Sequence, residues 1–592
     1  MKIRFEYDSV HEEIVLIPSG FSSFEWSSFT RILSDYGEFT VSEGKNVCIP
    51  YRAFLGIRVE IARYIKNHGV STEYTTEIRD ILKSINSKSY STAIKAVDMS
   101  EDEVVAKLVS AGFSRKLTPN QMNNVRHLAP MPAGATFSVP GAGKTTEALA
   151  YFFCNVKSED HLLVVGPLSA MGAWEEQLQA CCPNAGYSFV RLRGGAKTID
   201  RILRDAPRFM LISYGQFATV SSLIKDFLTY HSVIMFLDES HRIKSGRAGV
   251  SPQEILNVSC LPEKKLIMSG TPCPQSISDL IPQFEFLYPD KHPDEDSITS
   301  LLQPIYVRTT KGQLGIPAIQ HRKVTFNMSP LQSEVYRSLR SETKRQMTTL
   351  SDSSKYSLRE LGKKIMKVVE FTSNPSLLAD DMDYIFDKRL GDLISEDCGP
   401  KIEYACKRAR ELAASGEKVI IWSQFVKNVL LITERLKDLG ADCIYGGVSS
   451  GDEAEEDTRE WKIKQFHENP EKMVLVLNPA AASEAISLHK ACHHAIYVDR
   501  SFNAAHYLQS EDRIHRLGLE VAPTIEILEC RGTIDEVIDL RLNMKVQTMA
   551  AALNDSSLNV EAIPYDIDFS DDEINSEDIK AVIDYFFGDD GI

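Results

Sequence analysis

The chain has 592 residues, 43% hydrophobic and 25% charged, with 66 Lys plus Arg against 82 Asp plus Glu for a formal net charge of −16. At about 100–200 residues per domain the length allows about three to five domains, and the ordinary charged and aromatic content excludes wholesale disorder, collagen and coiled-coil rods. An acid excess argues against a nucleic-acid partner, because phosphate binding draws on Lys and Arg; yet residues 555–592 alone hold 12 acids and one Lys, which leaves residues 1–554 at only −5.

The 11 Cys are scattered and odd in number, with no C-x-x-C pair, which predicts reduced thiols and not a disulfide framework or zinc site. His489, Cys492, His493 and His494 form the densest metal-like cluster, but it runs into the apolar AIYVD at 495–499 and lacks a second ligand pair. The N-terminal MKIRFEYD has no apolar h-region, and no stretch approaches a membrane span. A cytoplasmic protein is expected, in a bacterial or viral setting before a nuclear one, since no Lys/Arg-rich nuclear signal stands out.

Residues 1–110 alternate at Ile3, Phe5 and Tyr7 and then give the helix-like FEWSSFTRILSDYG and IRVEIARYIKNHG, which predicts a small α+β domain. From 111 to 310, short apolar runs separated by helices (HLLVVGP at 161, FMLISY at 209, VIMFLDE at 233, KKLIMSGTP at 264) predict an α/β domain with a parallel sheet covered on both faces. Residues 311–395 are polar and helical in character with few strand signals, as a linker or insertion would be. A second α/β set spans 396–552 (KVIIWSQ at 418, MVLVLNP at 473, HAIYVDR at 494, TIEILEC at 524) and ends in a long helix from 533; the acidic tail fills 553–592. Within the tail, Ile579, Val582, Ile583, Phe586 and Phe587 fall at helical spacing. They suit docking on a basic, apolar-floored groove of a partner or of the chain's own DNA path, or a short helix packed back on the second lobe.

Two motifs carry chemistry. In SVPGAGKTT at 138–146, glycines let backbone N–H groups wrap a polyphosphate, Lys144 neutralises it, and Thr145 offers a hydroxyl to Mg²⁺. Ser138 stands where the strict pattern has its first Gly, and a Gly-rich loop with a surface Lys is the plain alternative for this motif taken alone. In VIMFLDESH at 233–241, an apolar strand ends in two carboxylates: Asp238 to hold Mg²⁺ and Glu239 to orient or deprotonate water. Carboxylates at a strand's C-terminal end face the ligand crevice of an open α/β sheet, and Asp238 follows Lys144 by 94 residues.

From about 117 to 552 the chain resembles the SWI/SNF-type branch of the superfamily two helicases. LTPNQMNNV, PLSAMGAWEEQ, DESHRIK, SGTPCPQSISDLIPQFEFLYP, YVRTTK, MSPLQSEVY, VIIWSQF and YLQSEDRIHRLG follow one another in the family's order. The resemblance implies two RecA-like lobes and ATP hydrolysis with Mg²⁺. ATP binding falls to Gln121, Gly141, Ala142, Gly143, Lys144, Thr145, Thr146, Asp238 and Gln509, the metal to Thr145 and Asp238, and catalysis to Lys144, Glu239 and the arginine fingers Arg513 and Arg516. It also implies DNA contacts from Ser169, Trp174, Ser213 and Arg308. Two departures matter: Ser138, Val139 and Pro140 replace the family's acidic preamble, and NPAAASEAISL at 478–488 replaces a glycine-rich motif. Ala481 and Ala482, with Glu511–Asp512–Arg513, look more like the annealing-helicase, fork-remodelling branch.

The resemblance therefore implies a DNA-dependent ATPase that translocates on duplex or forked DNA, with residues 1–110 either adding substrate choice or serving as a structural cap. The alternative from another class is an ATPase switch subunit of a restriction or defence complex, without productive translocation.

Overall fold

The computed structural model describes all residues except 12, 35–38, 42–44, 350–354, 380–388, 390, 394–398, 450–455, 480–487, 503–507, 509, 517, 554–577, 579–580, 583 and 586–592. The N-terminal alternation becomes strand β1 (Lys2–Asp8), which buries Ile3 and Phe5 and exposes Lys2 and Arg4. It pairs antiparallel with β2 (Glu13–Ser19) and parallel with β5 (Ser71–Tyr74). With β3 (Thr40–Val41) and β4 (Val47–Pro50) the order is β3-β4-β2-β1-β5. Trp26, Phe29, Phe54, Ile57 and Ile61 from the covering helices pack on Ile3, Phe5, Ile14 and Leu16. These residues form a hydrophobic cluster of their own.

This N-terminal region and the first α/β lobe form one compact unit made of Met1–Ser138, Gly143–Cys273 and Ile277–Thr309. Inside it, Arg58 pairs with Asp290 at 2.6 Å and Lys88 with Glu263 at 2.6 Å. The Tyr90 ring meets Phe284 and Tyr288 edge-on.

The lobe's sheet contains β6 (Ala133–Thr136), β7 (His161–Gly166), β8 (Val190–Arg191), β9 (Phe209–Ser213), β10 (Val233–Asp238), β11 (Lys264–Met268) and β12 (Tyr306–Val307). They are ordered β12-β6-β11-β10-β7-β9-β8, with every pairing parallel. β6 feeds the phosphate loop yet reads AGAT, with no apolar run to announce it. The reason is space, since a Cβ on Gly134 would sit 2.7 Å from Leu128 Cδ2 and 3.2 Å from the Ile305 carbonyl oxygen.

The second unit comprises Val139–Ala142, Pro274–Ser276 and Thr310–Ile592. Its sheet is ordered β13-β18-β17-β14-β16-β15, again all parallel. The strands are β13 (Gln320–Phe326), β14 (Val419–Trp422), β15 (Asp442–Ile444), β16 (Val474–Leu477), β17 (His494–Tyr497) and β18 (Thr524–Cys530). The stretch expected to be a helical insertion is helical over Pro330–Thr349 and Lys355–Ser373. It opens, however, with β13, an edge strand of this sheet. The sequence QHRKVTF hides it because an edge strand buries little and keeps polar side chains. No helix among the described residues is long and apolar enough to cross a membrane.

The C-terminal helix Ile534–Ala552 buries Arg541 and Lys545. Both meet Asp578 of the acidic tail, at 2.9 Å and 2.7 Å, and Asp578 itself is fully buried. Tyr585 adds a hydrogen bond to the Gly532 carbonyl and lies under the Arg340 guanidinium at 4.7 Å. Of the residues on which both expectations for the tail rest, Val582 is buried, and Ile579, Ile583, Phe586 and Phe587 lie outside the described residues. Asp578→Ala leaves two desolvated cations facing each other, a cost of about 3–5 kcal/mol unless the tail undocks. The expected result is a lower unfolding midpoint together with faster proteolysis of the last residues. An unchanged midpoint with unchanged cleavage would mean that Asp578 does not seat the tail.

Candidate nucleotide-binding site

The phosphate loop is built by a strand that ends and a helix that starts. β6 stops at Thr136, and the helix Lys144–Asn155 begins after Gly143. Gly141 and Gly143 have φ of +85° and +86°, in the left-handed region that a Cβ disfavours. A Cβ at 143 would also sit 2.3 Å from Gln121 Nε2 and displace that amide, but it is the positive φ that calls for Gly there. No side chain caps the helix, which leaves its first-turn N–H groups for an anion. Gln121 is fixed there by a reciprocal capping box with Thr118. Lys144 Nζ donates to the Ser138 carbonyl at 3.0 Å. Thr145 is half-buried, whereas Thr146 is buried and donates to Gln177 Oε1 at 3.2 Å.

Beneath the loop lies a polar cluster that motif reading passed over. Asn124 Nδ2 donates to Glu147 Oε1 at 2.9 Å and to Thr309 Oγ1 at 3.0 Å; Thr136 Oγ1 donates to Glu147 Oε2 at 2.8 Å; the Thr309 N–H donates to Ser138 Oγ at 3.0 Å. Burial pushes the Glu147 carboxyl above its usual range, against the donors Asn124 and Thr136 and the charge of Lys144. Helical spacing could have revealed two members, since Asn124 lies three residues after Gln121 and Glu147 three after Lys144.

Asp238 ends β10, flanked by β11 and β7. Its Oδ2 accepts from Trp174 Nε1 at 2.9 Å and its Oδ1 from the Glu239 N–H at 3.0 Å. Burial raises its pKa; the Trp174 hydrogen bond, the Lys144 charge, the Glu239 N–H and the Arg242 charge oppose that rise in descending order. The structure therefore brings the Lys144 and Asp238 motifs together within one lobe. Glu239 has φ of +51°, a strained value for a side chain of this size and of the kind that clusters at functional sites. Its Oε2 lies 3.5 Å from Ser269 Oγ and 3.4 Å from His241 Nδ1. The carboxylate of Asp238 and the hydroxyl of Thr145 are hard oxygen donors of the class Mg²⁺ takes. Each Asp238 oxygen spends one acceptor site on an N–H and has others left, so these residues fit the ion.

The four expected DNA contacts are placed differently from one another. Trp174 is 1% exposed, packs against Phe189 and Phe236, and spends its N–H on Asp238; the structure puts it in the core and leaves no indole face for a duplex. Arg308, half-buried, donates to the Phe137 carbonyl. Ser213, at the end of β9, accepts from the Gln216 N–H at 3.2 Å and so caps the next helix. Ser169 is half-buried in the turn Leu168–Ala170.

In the second unit the expected arginine fingers sit on a segment tied down by ion pairs. Lys311 meets Asp512 at 2.7 Å and His515 Nδ1 at 3.0 Å; His321 meets Glu511 at 2.6 Å; Tyr497 and Ser510 share a hydrogen bond of 2.7 Å. Arg513 is buried and Arg516 half-buried. Gln509, Ala481 and Ala482 lie outside the described residues.

Residues 131–300 match the SNF2-related domain and residues 400–518 the helicase conserved C-terminal domain. The chain is 22% identical over 457 residues to the mouse DNA annealing helicase and endonuclease ZRANB3, covering 71% of this chain and 39% of that protein. It is 24% identical to the mouse chromodomain-helicase-DNA-binding protein 1-like, covering 69% and 46%, and 25% identical to the Bacillus subtilis putative ATP-dependent helicase/translocase YwqA, covering 76% and 50%. The chain thus spans half or less of these relatives' lengths. A solved SWI2/SNF2 ATPase core of Sulfolobus solfataricus in complex with dsDNA aligns at 20% identity over 75% of this chain and 95% of its own, with a TM-score of 0.33. The fold assignment accordingly rests on the strand orders above.

Because Trp174 is a buried ring, Trp174→Ala should cost about 3–5 kcal/mol of stability in urea unfolding. A surface residue would cost less than about 0.5 kcal/mol, and that result would return Trp174 to the outside of the lobe.

Proposed function

Since the chain belongs to the SWI/SNF-type branch of the superfamily two helicase-like ATPases, we propose that it hydrolyses ATP with Mg²⁺ and spends the cycle on moving along or remodelling duplex DNA. The observation that carries this reading is that the phosphate loop after β6 and the Asp238–Glu239 pair after β10 lie at the same C-terminal end of one parallel sheet, in the order β6-β11-β10. Mg²⁺, held by Thr145 and Asp238, would neutralise charge on the β- and γ-phosphates. Lys144 turns from the Ser138 carbonyl to the same phosphates, with the loop N–H groups around them. Glu239, oriented by Ser269 and His241, orients and deprotonates the attacking water. Arg513 and Arg516 stabilise charge on the transferring group. Gln121 and Gln509 are assigned to the nucleotide.

Ser169, Ser213 and Arg308 are assigned to the DNA backbone, whereas Trp174 is reassigned to positioning Asp238. The domain at residues 1–110 is assigned to substrate choice, with forked DNA as the candidate. One relative is named a DNA annealing helicase and another a helicase/translocase, which supports DNA as the substrate class.

ATP turnover should rise on adding duplex or forked DNA, and a triplex should be displaced by the wild-type chain. DNA-stimulated hydrolysis without displacement would sink translocation and leave the ATPase-switch alternative. Lys144→Ala, Glu239→Gln and Arg516→Ala should each lower turnover by at least about 100-fold, with ATP binding retained in the Glu239 variant. Trp174→Phe removes a donor from the ionised Asp238. The Asp238 pKa then rises, and because the metal needs the carboxylate, the acid limb of the pH–rate profile should move to higher pH. An acid limb that stays in place would detach Trp174 from Asp238.

A further inference from the structure

We infer that Arg308–Lys311 is a positioning strap that joins the phosphate loop to the arginine-bearing segment, with Ser138 as its anchor in the loop; this rests on the ATPase reading above. On the first lobe, the Phe137 N–H donates to the Val307 carbonyl at 2.8 Å and Arg308 donates to the Phe137 carbonyl. The Thr309 N–H then donates to Ser138 Oγ at 3.0 Å, and Asn124 Nδ2 donates to Thr309 Oγ1 at 3.0 Å. Two residues later, Lys311 pairs with Asp512 at 2.7 Å and hydrogen-bonds His515 at 3.0 Å, on either side of Arg513 and next to Arg516. Two peptide units reach at most about 7 Å, so the main-chain part of the path is short, and the Lys311 side chain completes it.

The anchor is dry. Ser138 is fully buried, Thr309 is 2% exposed and Glu147 is 1% exposed. A buried network of this kind strongly resists losing a partner. Ser138 has two tasks at once: its carbonyl accepts from Lys144 and its hydroxyl accepts from Thr309. When Lys144 leaves that carbonyl for a phosphate, the change is felt at the residue that also holds the strap. A glycine at 138, as in the strict motif, has the carbonyl but no hydroxyl. Ser138, Thr309 and Lys311 are therefore positioning residues, which act through the loop and through the segment 510–516.

The test measures ATP turnover with duplex DNA, ATP KM and thermal unfolding for the full chain carrying Ser138→Ala, Ser138→Gly, Lys311→Met, Lys311→Arg and the Ser138→Ala/Lys311→Met double. Both Ser138 variants and Lys311→Met should lose about tenfold in kcat with ATP KM unchanged. Lys311→Arg should recover most of the loss. The double should be no worse than the more impaired single, because both changes cut one path. Wild-type kcat in Ser138→Gly would show that the backbone alone suffices, and losses that multiply to about 100-fold in the double would show independent sites; either overturns the strap. Should the Ser138 variants unfold, Lys311→Met decides: wild-type kcat overturns the strap, and a lowered kcat at unchanged KM supports it. A wild-type chain that hydrolyses no ATP would instead overturn the ATPase reading, and the strap with it.

Discussion

The constraint on which the first lobe depends is the burial of one carboxylate. Asp238 closes an apolar strand flanked by β11 and β7, so its charge persists only where donors meet it. The neighbouring elements are arranged around that need. Trp174 reaches it from the helix Met171–Cys181, and Tyr214 donates to its carbonyl at 2.9 Å from the helix that follows β9. β7 ends in Gly166, where a Cβ would sit 3.2 Å from the Asp238 Cβ. Two stretches far apart in sequence, GPLSAMGAW and SYGQ, thus face the Asp238 of LDESH. Their order along the chain follows from a parallel sheet, which returns every crossover to the same edge.

That logic explains what could be read from the residues. Strands β7, β9, β10, β11, β14, β16, β17 and β18 are the apolar runs that parallel pairing buries on both faces, and they were legible. β6 was not, because close packing against Leu128 demands small residues; β13 was not, because it lies at a sheet edge. β8 and β12, at two residues each, are too short for any period to show. The loop lysine and the carboxylate pair stand out in the sequence by their spacing, and the structure places both motifs in one lobe, at the ends of β6 and β10. The family resemblance offers Trp174 as a DNA contact, whereas its own helix points it to the core: Met171, Trp174, Leu178 and Cys181 are all buried and recur at the 3.6-residue period. Periodicity reports packing directly, and a motif does not.

Charge in the second unit obeys a similar rule. Arg500 is buried with Glu529 and Asp539, and Lys401 with Asp535 at 2.5 Å. Pairs of this kind gain little net energy over apolar packing, yet they strongly disfavour any arrangement that parts them. Asp578 belongs to the same set, although it arrives from a tail whose composition reads as solvated. The −16 of the chain is thus no measure of affinity for phosphate: most of the excess lies in that tail, and one of its acids neutralises cations of the chain's own C-terminal helix.

Ser138 shows how a departure from a motif can carry information. The first glycine of the strict phosphate loop is valued for backbone freedom, but here the left-handed conformations fall at Gly141 and Gly143. Position 138 needs none of that freedom, so its side chain is available for another task, and the hydroxyl meets the first residue past Arg308. A glycine there would serve the phosphate equally well and would leave the Thr309 N–H buried without that acceptor. The cost of such an orphaned donor, about 1–3 kcal/mol, is large beside the total stability of a domain. Once the chain leaving the lobe crosses this loop, serine at 138 is the physically favoured choice.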